Sequence, residues 1–482
     1  MSLRSSRAFP TLLLATVMAG GCTAHAPRRV RLSETAPQAV TTSVEALGKR
    51  AARVEVQRHS VEVHPDFTLA FVEFDDQGRF WSRAQLELLC QTLESESQRA
   101  NVDGVVVLLF AHGWRHNADV CDENVACLRT YLERIAGDLA STEKLSGGKL
   151  GKRRLVGIYV GWRGLSASVQ PFKDLTFWSR ERVAHRIGSG DLIELLTRVD
   201  QFVRRQNGGG VGQSRLVIMG HSFGGTMIYT ALANILKSRL VEAFERRGAG
   251  VSRPRETVVE GFGNLIVLVN PAFEASLYAP IHELVSRFPG FSTLQTPVLI
   301  TVSSETDRSN TTWFPLGRII ESLFERTGPN SGRNLIVTAV GNYRPFWTHR
   351  LAAAPGATIP PRVVAAGFGA AKGCRCPLRL EPVGEGQIRN LLGLLGAGGE
   401  PAPTGVTGSS TECRNGLLYG RAILTCVRPL QPRAPFWVVR ASDDVVHKHS
   451  GLFTDYFLDF VRRVVIESIG TRTRFEAEGP GR

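Results

Sequence analysis

Short continuous apolar runs rich in Val, Ile and Leu recur along this chain and alternate with longer stretches whose apolar positions return every third or fourth residue. Runs of the first kind suit strands covered on both faces, and stretches of the second kind suit amphipathic helices. Strands are predicted at Thr68 to Phe74, Val105 to Phe110, Leu155 to Val160, Leu216 to Met219, Leu265 to Val269, Val298 to Val302, Leu335 to Val340 and Phe436 to Val439. Helices are predicted at Arg83 to Gln98, Leu128 to Leu139, Asp191 to Arg204, Gly225 to Phe244 and Gly451 to Val465. Such alternation predicts an α/β fold, a mainly parallel sheet wound by right-handed crossovers with helices on both faces.

Two stretches break the rhythm. Trp162 to Arg186 carries Trp162, Phe172, Phe177 and Trp178, and reads equally as a lid-like segment or as the packing of a long connection. Residues 352–435, rich in Gly, Ala and Pro, read as an insertion ahead of the last strand, stapled by cysteines because its own core is thin. The expected organisation is a leader (1–22), a flexible tether (23–54), the first part of an α/β core (55–351), the insertion, the rest of the core (436–470) and a polar tail (471–482). No internal repeat is visible.

The charge of +14 on 482 residues is spread along the chain without an aromatic-interleaved basic stripe. It reads as a basic solvated surface and argues against a nucleic-acid partner. The N-terminus changes the picture more. Arg4 and Arg7 precede the apolar stretch Phe9 to Met18, then Ala19-Gly20-Gly21-Cys22, the layout of a secretory signal too short to span a bilayer. The small residues before Cys22 resemble a bacterial lipoprotein box, with Ala19 where a bulkier aliphatic residue is usual. That resemblance implies a lipidated Cys22 and a membrane-anchored, exported domain in the cell envelope.

Seven cysteines then remain, and they suit an oxidising compartment. Cys121 and Cys127 are spaced to close a small loop, Cys374 and Cys376 to pair with Cys413 and Cys426, and Cys90 to stay a buried free thiol in a helix. A zinc site on the four late cysteines is the weaker alternative, since their spacing departs from the usual ligand pairs.

The candidate chemistry centres on Arg215 to Tyr229, RLVIMGHSFGGTMIY. An apolar strand climbs into Gly220-His221-Ser222-Phe223-Gly224 and leaves at once into a helix, the pattern of a nucleophile elbow. Ser222 is the candidate nucleophile, and the Phe223 amide at the helix start is a candidate oxyanion donor. A serine hydroxyl needs a base and a group to orient that base. The strand at Val298 to Val302 runs into Ser303-Ser304-Glu305-Thr306-Asp307, which offers Asp307 as the acid, with Glu305 and then Asp443 or Asp444 as competitors. After the last strand, His449 is the candidate base and His447 its rival. His221, His112 and His349 read as packing or loop-supporting residues. The sequence Ala111-His112-Gly113-Trp114 after an apolar strand makes the Trp114 amide the second oxyanion candidate.

With the elbow, the His-Gly loop and the strand-loop-histidine in place, the chain resembles an α/β-hydrolase of the serine esterase and lipase type over roughly Val61 to Phe346 and Phe436 to Val465. The resemblance implies an eight-stranded sheet and a triad of Ser222, Asp307 and His449 that cleaves carboxylic esters through an acyl-enzyme. The reaction needs no metal or organic cofactor, and the envelope location suggests small apolar esters, lipids among them, as substrates. Two alternatives stay open: a non-catalytic envelope lipoprotein that uses the pocket for binding, and acyl transfer or thioester cleavage by the same residues.

Overall fold

A computed structural model describes residues 26–29 and 59–478, except 148–149, 166–171, 209–213, 249–257, 289, 293–294, 324, 327, 329–331, 429–430, 432 and all of 356–415 but 376 and 389. The leader with Cys22, most of the expected tether, Cys374, Cys413 and residues 479–482 lie outside the described residues.

The chain forms an 11-stranded mixed sheet with helices on both sides. In chain order the elements are β1 (Val61–Val63), β2 (Phe67–Glu73), α1 (Arg83–Ser97), β3 (Gly104–Ala111), α2 (Glu123–Leu145), β4 (Arg153–Gly161), α3 (Phe172–Ser189), α4 (Leu192–Gln206), β5 (Arg215–His221), α5 (Phe223–Gly248), β6 (Leu265–Val269) and α6 (Ala275–Arg287). Then follow β7 (Leu299–Ser304), a π-helical turn (Ser309–Trp313), α7 (Phe314–Glu321), α8 (Arg333–Val337), β8 (His349–Ala353), β9 (Leu417–Tyr419), β10 (Ala422–Cys426), β11 (Phe436–Ala441) and α9 (Asp455–Glu478).

Strand order is β1-β2-β4-β3-β5-β6-β7-β11-β8-β10-β9. The pairings from β2 through β8 are all parallel, whereas β1 at one edge and β10 and β9 at the other are antiparallel. Successive side chains of a strand face opposite sides, so each central strand feeds two cores. Val105, Val107 and Leu109 of β3 pack with α1, α3, α4, α5 and α6, while Leu108 and Phe110 pack with α2 and α9. This double burial explains why the central strands read as unbroken apolar runs.

The sequence reading needs corrections at the margins. Leu335 to Val340 is not a strand: it forms α8 and the start of a 3₁₀ turn at Val340–Asn342. The sheet position beside β7 is taken by β11, so only Ala339 and Val340 of that apolar run find full burial. Strand β8 and the pair β9 and β10 fall within or at the edge of the stretch read as an insertion, yet extend the sheet beyond β11. Seven of the eight predicted strands are found, and these three together with β1 bring the sheet to eleven. Helix α9 runs through the first part of the expected tail to Glu478.

Part of the expected tether is docked. Arg29 is fully buried, stacked 3.7 Å from the Phe71 ring centroid and bonded through Nη1 to Glu62 at 2.8 Å. Burial alone would raise the Glu62 carboxyl, but Arg129 and Arg29 outweigh it and hold the group well below the usual carboxylate range.

The cysteines pair differently from expectation. Cys127 is bonded to Cys376, not to Cys121. The Asp122 side chain caps α2 by accepting the Asn124 N–H, which leaves Cys121 exposed outside the helix while Cys127 turns into the core beneath the sheet. Cys121 and Cys426 are disulfide-bonded as well, and Cys90 is a free, half-buried thiol. Cys376 and Cys426, being bonded, offer no thiolate to a metal, so the four late cysteines cannot together hold zinc; Cys374 and Cys413 lie outside the described residues.

Candidate active site

The order in which strands are added to the sheet reverses between β3 and β5: from β3 the chain crosses to β4 on one side, and from β5 to β6 on the other. Their following helices, α2 and α5, lie on opposite faces, which leaves a crevice at the carboxyl ends of the two strands. Gly113, after β3, and Ser222, after β5, meet there. A Cβ on Gly113 would lie 2.9 Å from the Ser222 Cβ and 2.9 Å from His221 Nδ1, so only glycine lets the Gly113–Trp114 backbone come this close.

Ser222 has φ 54°, a left-handed conformation that costs a non-glycine residue about 1–2 kcal/mol. The Ser222 N–H donates to Val269 O at 2.9 Å, and the Ser222 carbonyl accepts from Ala272 and Thr226, so β6 and its loop hold the strained turn in place. Gly224 makes the turn sterically possible, since a Cβ there would sit 2.0 Å from Ala111 O. Helix α5 begins at Phe223, whose N–H has no intrahelical acceptor and lies at the positive end of the helix dipole.

Asp307 and His449 arrive from the ends of β7 and β11. The Ser222 hydroxyl donates to His449 Nε2 at 2.8 Å, and His449 Nδ1–H donates to both Asp307 oxygens at 2.9 Å. Asp307 is 1% exposed, and also accepts the Ser309 and Asn310 amides at 2.9 and 3.2 Å. Burial on its own would raise its carboxyl; His449 and the two amides overcome that and keep it below the usual range, hence ionised. The three residues therefore form one continuous hydrogen-bonded line from a buried carboxylate to a strained hydroxyl.

The competitors lie elsewhere. Glu305 points to solvent and pairs with Arg350 at 2.9 Å. Asp443 pairs with His447 at 2.9 Å and accepts the Thr306 hydroxyl, which occupies the rival acid and the rival base with each other. His112, fully buried, donates through Nδ1 to Gly113 O at 2.8 Å and accepts the Trp162 N–H at 3.2 Å, bracing the loop as expected. His349 packs 4.5 Å from the Trp437 ring and bonds Thr348.

Sequence reasoning missed Asn270. With φ 46°, it donates to Lys448 O at 3.0 Å and His449 O at 2.8 Å, and accepts the Ser304 N–H at 2.8 Å. His221 Nε2 donates to the same His449 carbonyl at 2.7 Å, so two side chains fix the backbone that carries the imidazole. An Asn-Pro pair directly after an apolar strand was the available signal, since Asn tolerates the left-handed region.

Ser222 itself has no exposed surface, and the His449 side chain is 18% exposed. Phe177 of α3 sits 4.8 Å from the Phe223 ring and 5.4 Å from that of Trp114, beside both oxyanion candidates.

Burial pushes His112 down to about 4 and His349 to about 3, and burial together with the neighbouring His449 pushes His221 to about 3. An unfolded imidazole titrates at 6.5, so as pH falls the unfolded chain takes up these protons first. Their stabilising contribution is complete above about pH 6.5 and is lost toward pH 3, each group adding up to about 1.4 kcal/mol per pH unit. Urea unfolding midpoints should fall steadily from pH 6.5 to 4, and a His349→Asn variant should show a shallower fall. Equal pH dependence of the two proteins would remove His349 from this account.

No protein-family model matches the chain, and no curated protein or solved structure matches it.

Proposed function

We propose that this protein is a serine hydrolase of the α/β-hydrolase type that cleaves carboxylic esters through an acyl-enzyme on Ser222. The observation that carries the reading is the hydrogen-bonded line Asp307–His449–Ser222, ending at a non-glycine residue in left-handed conformation where a strand meets a helix. Maintaining such strain without a functional gain would cost stability.

The chemistry follows from the bond directions. As Ser222 Oγ attacks an acyl carbon, its proton passes to His449 Nε2, and the buried Asp307 charge stabilises the imidazolium that forms. The Phe223 amide, and the Trp114 amide brought near by Gly113, are the groups suited to the developing oxyanion; one such donor contributes on the order of 3 kcal/mol to the transition state. His449 then returns the proton to the departing alkoxide, and water repeats the sequence to free Ser222.

Apolar acyl groups suit the surroundings. Trp114, Phe177 and Phe223 flank the serine, and beyond Asp307 the chain exposes Trp313, Leu316, Ile320 and Leu323. The disulfide-bonded cysteines favour an exported domain, anchored through Cys22 if the leader is processed as a lipoprotein. Among the described residues no helix is long and apolar enough to cross a membrane. Hydrolysis of a nitrophenyl ester by the purified protein, with Ser222→Ala beside it, tests the proposal.

A further inference from the structure

Away from the triad, a second group of chemically able side chains gathers where α3, α5 and α6 meet. Glu181 and His185, four residues apart, share one face of α3. Glu274, at the N-cap of α6, comes from the loop that follows β6. One ligand atom from each of the three lies within 4.8 Å of the other two. It is the one such cluster of His, Cys, Asp and Glu among the described residues.

We propose that Glu181, His185 and Glu274 form a binding site for a divalent transition-metal ion, separate from the reacting centre. Three observations support it. Glu181 is 3% exposed and its Oε1 has no hydrogen-bond partner, and Glu274 Oε2 is also buried and unpartnered. Two carboxylate oxygens left buried and unmatched are destabilising unless a cation or proton reaches them. The neighbouring guanidinium does not: Arg318 bonds Glu274 through its other oxygen at 3.0 Å and Glu321 at 3.0 Å.

The histidine is prepared for the role. His185 Nδ1 bonds the Thr230 hydroxyl of α5 at 3.0 Å, which fixes the ring and leaves Nε2 for a ligand, the outer support that metal-bound imidazoles ordinarily have. One imidazole nitrogen and two carboxylate oxygens suit zinc or manganese better than calcium or magnesium, which take oxygen ligands. Metal–ligand bonds of about 2.1 Å need ligand separations of about 3–4 Å, so small side-chain rotations would complete the set around an ion and a water.

Such an ion would tie α3, whose Phe177 packs on Trp114 and Phe223, to the β6–α6 loop, whose Asn270 holds His449. It would stabilise the frame of the proposed reaction without touching the reacting atoms.

The test is equilibrium dialysis of the chelator-stripped full chain against zinc alone, with metal content measured per chain and melting temperature followed in parallel. One zinc per chain and a raised melting temperature are expected, with Glu181→Gln and His185→Gln each weakening that site at least about tenfold. His185→Gln, half-buried, serves if Glu181→Gln fails to fold. A stripped wild-type chain that binds no zinc, or a folded variant that binds it as the wild type does, overturns the proposal.

Discussion

Ser222→Ala should lower kcat for a short-chain nitrophenyl ester by on the order of 10⁴ to 10⁶ while the protein stays folded. The change removes the atom on which the proposed acyl-enzyme would form and leaves its surroundings intact. Alanine keeps the Cβ that fits against Gly113, and the backbone hydrogen bonds to Val269 O and from the Thr226 and Ala272 amides do not involve the hydroxyl. The expected variant is therefore a folded chain with an unaltered melting temperature, to within the small gain or loss from one buried hydroxyl. Residual turnover would come from the amides alone, since binding and oxyanion stabilisation survive loss of the nucleophile. Turnover equal to wild type would place the reaction elsewhere, and absence of turnover in the wild type would favour a binding protein.

Asp307→Asn should cost about 10⁴ in kcat, or about 5 kcal/mol of transition-state stabilisation, with a much smaller change in KM. The amide is nearly the same shape and can still bond His449. It offers an N–H where the carboxylate offered only acceptors, which turns the imidazole toward the wrong tautomer and leaves the imidazolium uncompensated. The Ser309 and Asn310 amides, which now donate to Oδ1, limit the orientations the asparagine can adopt. Glu305→Gln is the companion variant. Because Glu305 is exposed and bonded to Arg350, its loss should leave kcat within about twofold and change stability by less than about 1 kcal/mol. A steady-state comparison of the two variants decides the acid; equal losses would contradict the assignment.

What the chain announced in advance and what it concealed divide along physical lines. Strands β3, β5 and β6 were legible because burial on both faces demands an unbroken apolar run. The elbow was legible because steric limits at Gly220 and Gly224 admit few residues. Asp307 and His449 could be named because a sheet delivers its loops at the carboxyl ends of its strands.

The failures have equally specific causes. Val61–Val63 and Leu417–Tyr419 are too short, and too near the sheet edges, to carry a period. Leu335 to Val340 had the right composition for a strand, but β11 holds the sheet position beside β7. The bond between Cys127 and Cys376 joins residues 249 apart, a distance over which local spacing says nothing. Asn270 stayed hidden because its partners, Lys448 and His449, lie 178 and 179 residues further along the chain. Arg29 hid inside a polar stretch whose composition gives no sign of its burial against Phe71 and Glu62.

The most direct test of an activated Ser222 is reaction of the purified protein with a fluorophosphonate, followed by peptide mass mapping. The account predicts one phosphonyl group per chain, on Ser222, with labelling lost in Ser222→Ala and strongly slowed in Asp307→Asn. An intact, folded protein that takes no label, or takes it on another residue, would contradict it.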